Sequence, residues 1–122
     1  MLNNLSLPED ILVDSLTLNR WKSLSTQQNS GAWLELRDFF LEHSAQLLQD
    51  MRLACTLNDM MELEKLAHQL KGTAASFGAP QLAKLSELIQ DQCTSQQHDK
   101  ILILLQALTV CYEHTRVEIM GY

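Results

Sequence analysis

The residue pattern predicts an all-α fold: an antiparallel up-and-down four-helix bundle with a short additional N-terminal helix. Three observations lead there. Hydrophobic residues make up 46% of the 122 positions while Gly and Pro number only four and two, so the chain can fill a core but has few turn-makers. Leu, Ala, Gln, Glu and Lys are abundant and β-branched runs nearly absent, a composition of strong helix formers. Apolar residues recur every three or four positions over four long stretches separated by short polar ones. A chain of this length supports one domain, residues 1–122, without disulfides.

Each element follows from local signals. Ser6-Leu7-Pro8-Glu9 resembles a capping box with Pro8 in the first turn, so a short helix is expected to about Asn19, with Leu12 and Leu16 on one side. The polar stretch Ser23 to Gly31 reads as a loop. A long helix is expected from about Ala32 to Cys55, where Trp33, Leu36, Phe40, Leu47, Met51 and Ala54 form one stripe. Phe39 and Phe40 are adjacent, so both cannot face inward; these two with Trp21 and Trp33 read as core-type aromatics rather than a ligand cleft. Asn58 is the candidate N-cap of a third helix over about 58–77, with Asp59 and Glu62 suiting its positive end. Gly78 is its natural stop, and Pro80 opens a fourth helix to about Cys93 that buries Leu82, Leu85 and Ile89. After a polar link from Thr94 to His98, a last helix from about Asp99 to Met120 turns Ile101, Leu104, Leu105, Leu108, Cys111 and Tyr112 inward.

Charge and composition exclude several classes. The formal net charge is −6 with scattered Lys and Arg, which argues against nucleic acid and anionic membranes as partners. The longest apolar run, Ile101 to Leu105, is too short to span a bilayer, and no signal-peptide pattern opens the chain. Cys55, Cys93 and Cys111 lack metal-like spacing and read as reduced residues of a cytoplasmic protein. No metal site is expected, because no Glu-x-x-His pair leads to His68 and His43, His98 and His114 lie on separate segments. No Gly-x-x-x-x-Gly-Lys-Ser/Thr loop is present, so the chain is not expected to be an ATP-dependent kinase or an enzyme in its own right.

The third helix carries the chemistry. Leu63, Ala67, Leu70, Ala74 and Phe77 define its buried stripe, with Leu66 on the edge, and His68 lies about 140° from the stripe's centre. That places an imidazole in water. Glu64 is one turn before it, Gly72 one turn after and Ala75 two turns after, with Lys71 at the border of the same face. A glycine inside a helix costs about 1 kcal/mol against alanine, and here it leaves the surface bare beside the ring. A histidine in water titrates near pH 6.5 and is mostly neutral at slightly alkaline pH, when a ring nitrogen is free to act as nucleophile. An isolated surface histidine carries no such signal; His68 with Lys71, Gly72 and the small residues that follow does.

The run Ala67-His68-Gln69-Leu70-Lys71-Gly72-Thr73-Ala74-Ala75-Ser76-Phe77-Gly78-Ala79 closely resembles the signature of histidine-containing phosphotransfer (HPt) domains. The match falls on His68, Leu70, Lys71, Gly72, Ala74, Gly78 and Ala79, and beyond it only the helix lengths are compatible. The resemblance implies that His68 accepts a phosphoryl group from an aspartyl phosphate on a receiver domain and passes it to another receiver in a multistep two-component relay. It assigns charge support to Lys71, steric access to Gly72 and a hydrogen bond to the second ring nitrogen to Gln90. No cofactor is expected on this chain; magnesium would come with the partner receiver. Sensor-kinase dimerisation helices also present a histidine, but an acidic residue usually follows it, and here Gln69 does.

Helical geometry adds Met61, Glu64 and Ala75 to the expected docking rim, with Leu12 or Leu16 of the first helix supplying apolar area. The expected partners are receiver domains of a hybrid kinase and of a response regulator, met by a monomer. A chain starting at Met1 without linker or receiver favours a free-standing carrier. The alternative is a helical adapter that binds signalling proteins without being phosphorylated.

Overall fold

The computed structural model describes residues 11–28, 31–95 and 98–122. Among these, five α-helices and no strand occur: α1 (Ser15–Gln28), α2 (Ala32–Thr56), α3 (Met60–Phe77), α4 (Pro80–Thr94) and α5 (Ile101–Met120). Helices α2, α3, α4 and α5 each pack on the next, α5 returns to α2, and α1 lies against α2 and α3. No described helix is long and apolar enough to cross a membrane.

The stripes close on one core. From α2 come Trp33, Phe40, Leu47, Leu48, Met51 and Ala54; from α3 Leu63, Leu66, Ala67, Leu70, Ala74 and Phe77. Leu82 and Ile89 of α4 and Ile101, Leu105, Leu108, Cys111, Tyr112 and Ile119 of α5 join it, as do Val13, Leu18, Leu41 and Ala79, while Leu36, Leu85 and Leu104 are half-buried against it. Phe40 and Phe77 stack at 4.2 Å between centroids, and Trp33 also stacks with Phe77 at 6.1 Å. Tyr112 satisfies its buried hydroxyl by donating to the Leu41 carbonyl oxygen at 2.7 Å, tying α5 to α2.

The helix ends are set by capping. Asn58 takes a left-handed φ of 57°, and the next N–H, of Asp59, reaches back to the Ala54 carbonyl oxygen at 2.8 Å, ending α2. The N-cap of α3 is therefore Asp59, not Asn58: its carboxylate accepts from the Glu62 N–H at 3.1 Å. Gly78 ends α3 with φ 105°, a region open to glycine, and an added Cβ would sit 3.2 Å from Thr17. Pro80 then starts α4 without loss, since its missing N–H would be unpaired in a first turn.

The N-terminal helix differs most from expectation. It starts at Ser15 and runs to Gln28, through residues read as loop. Asp14 is the cap: its carboxylate accepts from the Leu16 N–H at 3.2 Å and the Thr17 hydroxyl at 2.8 Å. Polar composition alone does not break a helix, and residues 15–28 contain neither Gly nor Pro. The Ser6–Glu9 capping box lies outside the described residues. The buried leucine of α1 is Leu18, while Leu16 is 71% exposed. Leu12 precedes the helix and lines a groove with Gln81, Leu85 and Ile103, where the Asp14 N–H donates to the Gly78 carbonyl and the Gln81 N–H to the Ile11 carbonyl at the α3–α4 corner.

The three cysteines are free, Cys111 buried and Cys55 and Cys93 half-buried. Burial, reinforced by the nearby Glu64 carboxylate and Cys55, pushes the Cys93 thiol up to about 11, and burial raises Cys111 as well. Both therefore stay thiols at neutral pH and are poor nucleophiles.

Candidate functional site

Helix α3 turns its apolar stripe inward and leaves His68 exposed on the opposite side. The ring stands in an open groove of about 460 Å³ with Met61, Glu64, Lys65 and Gln69 of α3 and Gln90 of α4. Met61 is 84% exposed, an apolar surface standing free beside the imidazole. Glu64 is half-buried, and Lys65 is within 4.0 Å of Glu62, so the groove carries charges of both signs.

One ring nitrogen is occupied. The Gln90 side-chain amide meets His68 Nδ1 at 3.2 Å. In the orientation seen, the amide nitrogen donates and Nδ1 accepts, which puts the ring proton on Nε2. A half-turn of the amide presents its oxygen instead; Nδ1–H then donates, and Nε2 faces solvent with a free lone pair. The contact leaves Nε2 as the outward-facing nitrogen in either orientation.

One turn after His68 the helix surface at Gly72 is exposed. A Cβ built on Gly72 meets nothing within 4 Å. The helix therefore does not need this glycine for its own packing, although it loses helix propensity there. Gly72→Ala is expected to stabilise the folded chain by about 1 kcal/mol, read as a higher denaturation midpoint. If Gly72 keeps the surface clear for a bulky partner, the same variant accepts phosphate more slowly, so stability and transfer move in opposite directions. Ala75 is exposed one turn further along.

Lys71 is placed elsewhere than expected. Its ammonium does not line the His68 groove but lies 3.6 Å from Glu87 of α4. Lys84 approaches the other oxygen of the same carboxylate at 3.4 Å. The Lys71 ammonium, then Lys84, hold the Glu87 carboxyl below its usual range. These three side chains with Asp14, Ala75, Gly78, Pro80 and Ala83 line a second groove along the α3–α4 seam. Leu12 and Leu16 line neither groove; Leu12 is half-buried against the core and Leu16 is an exposed residue of α1.

Glu87 and Lys84 escaped the sequence reading. A signal existed: Lys84, Glu87 and Gln90 are spaced by three and so share one face of α4. A further apolar groove joins Trp21 of α1 with Leu36, Phe39 and Phe40 of α2 and Thr73 and Ser76 of α3. Phe39 is the outward member of its pair, 64% exposed and stacked on His43 at 5.5 Å, while Trp21 Nε1–H donates to the Ser76 carbonyl oxygen at 3.0 Å. Among the described residues, no group of three or more His, Cys, Asp or Glu side chains converges as metal ligands would.

Comparisons with known proteins agree with this architecture. The family model of the Hpt domain matches residues 35–117. Histidine-containing phosphotransfer protein B (HptB) from Pseudomonas aeruginosa PAO1 superposes with a TM-score of 0.80 at 20% identity, covering 90% of this chain and 92% of that one. A rice protein described provisionally as a histidine-containing phosphotransfer protein superposes with a TM-score of 0.77, also at 20% identity, over 92% of this chain and 79% of its own. No curated protein sequence matches this chain. With the matched segment spanning more than half of the sequence and enclosing His68, the chain belongs to the Hpt-domain family.

Proposed function

We propose that this chain takes a phosphoryl group from a receiver-domain aspartate onto His68 Nε2 and hands it to the aspartate of a second receiver. The observation that carries the reading is the exposed imidazole with Nδ1 engaged by Gln90 and Nε2 open to solvent. Membership of the Hpt family supports a phosphotransfer role in a two-component relay.

The chemistry is a pair of displacements. The Nε2 lone pair attacks phosphorus, the bond from phosphorus to the aspartyl oxygen breaks, and the carboxylate leaves with the electron pair. In the second step another aspartate attacks and the imidazole leaves. Both require Nδ1 to carry the proton, so the Gln90 amide must present its oxygen while Nε2 acts as nucleophile. Phosphoryl transfer asks chiefly for positioning and charge neutralisation. On this chain Gln90 orients the ring, Gly72 leaves room for the incoming group, and Lys71 supplies a cation. Met61, Glu64 and Ala75 form the surrounding docking rim, with the receiver bringing its own metal ion. The cyclic packing of α2 to α5 supports an antiparallel up-and-down bundle, and the extent of the superpositions supports reading residues 1–122 as one module.

The test is incubation with a panel of receiver domains phosphorylated by acetyl phosphate. The expected product is an acid-labile, base-stable phosphate located on His68 by mass spectrometry. Binding to receivers with no such phosphate at any concentration would replace the relay with an adapter role.

A further inference from the structure

We propose that Glu87 is a positioning residue that holds Lys71 on α4 while His68 is unmodified, and that arrival of the phosphoryl group draws the Lys71 ammonium from Glu87 to the phosphoryl oxygens. The inference rests on the phosphotransfer reading above and adds a device to it.

The α3–α4 seam carries the argument. His68 meets Gln90, and one turn further along α3 Lys71 meets Glu87, one turn earlier on α4. The two contacts are successive rungs between helices running in opposite directions. The imidazole and the ammonium that would serve it are therefore each engaged by a neighbouring residue on one face of α4. Lys71 lies three residues after His68, adjacent on the helix surface, and its four-carbon stem lets the ammonium reach either side.

The strength of the contact suits a hold that can be released. Lys71 and Glu87 are each 39% exposed at 3.6 Å, and exposed pairs of this kind are weak. Glu87 also keeps Lys84 at 3.4 Å, so it is not left unpaired when Lys71 departs. A phosphoryl group bears more negative charge and more acceptor oxygens than one carboxylate, and on His68 it would stand one helical turn from Lys71.

The test is a double-mutant cycle on single-turnover transfer from an acetyl-phosphate-charged receiver at saturating receiver concentration. Glu87→Gln, Lys71→Ala and the pair are compared with the unaltered protein, with circular dichroism confirming the fold of each. Glu87→Gln is expected to accelerate acceptance by about two- to fivefold, the scale on which an exposed ion pair competes. Lys71→Ala is expected to slow it by about tenfold, as for loss of one charged contact. In the Lys71→Ala background, Glu87→Gln is expected to change nothing, since no ammonium remains to release. Equal acceleration in both backgrounds would reduce Glu87 to simple repulsion of the phosphoryl group and overturn the proposal. So would Glu87→Gln transferring at the unaltered rate. An unaltered protein that takes no label from any receiver would end the phosphotransfer reading itself, whereas normal labelling with a flat cycle ends only the role of Glu87.

Discussion

His68→Gln is expected to accept no phosphate from any charged receiver while folding as the unaltered chain does. Glutamine keeps a polar side chain of similar reach, but its amide is no nucleophile, so no covalent intermediate can form. The stability cost is small because the side chain is exposed and its hydrogen bond to Gln90 lies at the surface. Such bonds contribute about 0.5–1.5 kcal/mol, and surface substitutions usually fall within about 0.5 kcal/mol. Urea denaturation gives the stability and radiolabel transfer gives the acceptance. Labelling of the variant at the unaltered rate would place the acceptor elsewhere and remove His68 from the mechanism.

Phe77→Ala is expected to act in the opposite way, with a large loss of stability and an intact acceptor. Phe77 is 5% exposed and lies nearly parallel to both Phe40 and Trp33, with interplanar angles of 7°. Truncating such a ring costs about 3–5 kcal/mol, because the lost burial is joined by a cavity that rigid helices cannot fill. A domain holds only about 5–15 kcal/mol in total, so a large share disappears. Denaturation followed by tryptophan fluorescence reads this directly, since Trp33 borders the site. In the cold, where the variant remains folded, transfer to His68 should persist, because His68 projects from the other side of α3. A loss below about 1 kcal/mol would mean that Trp33 and Phe40 close over the gap, and that the aromatic stack is not the anchor of α2 on α3.

Much of the architecture is written in local periodicity. The stripes on α2, α3, α4 and α5 are buried nearly as spaced, since a 3.6-residue repeat decides which face a helix can hide from water. The same repeat put His68 in solvent. The stop at Gly78 and the restart at Pro80 are properties of single residues, one able to adopt positive φ and one lacking an N–H. Errors gathered where local signals are weak. The loop reading of 23–28 relied on polarity, yet α1 runs on to Gln28, since polar residues without Gly or Pro carry no helix breaker.

By itself the sequence determined that this protein is helical, most of the buried stripe of each long helix, and that His68 meets water beside Gly72, all consequences of spacing along one chain segment. Only the tertiary structure decided that Gln90 stands against His68 Nδ1, that the Lys71 ammonium rests on Glu87, and that Leu12 packs against the core. Each of these joins residues on different elements, and the register between two helices is set by how all of their side chains interlock, a quantity no single helix's periodicity contains.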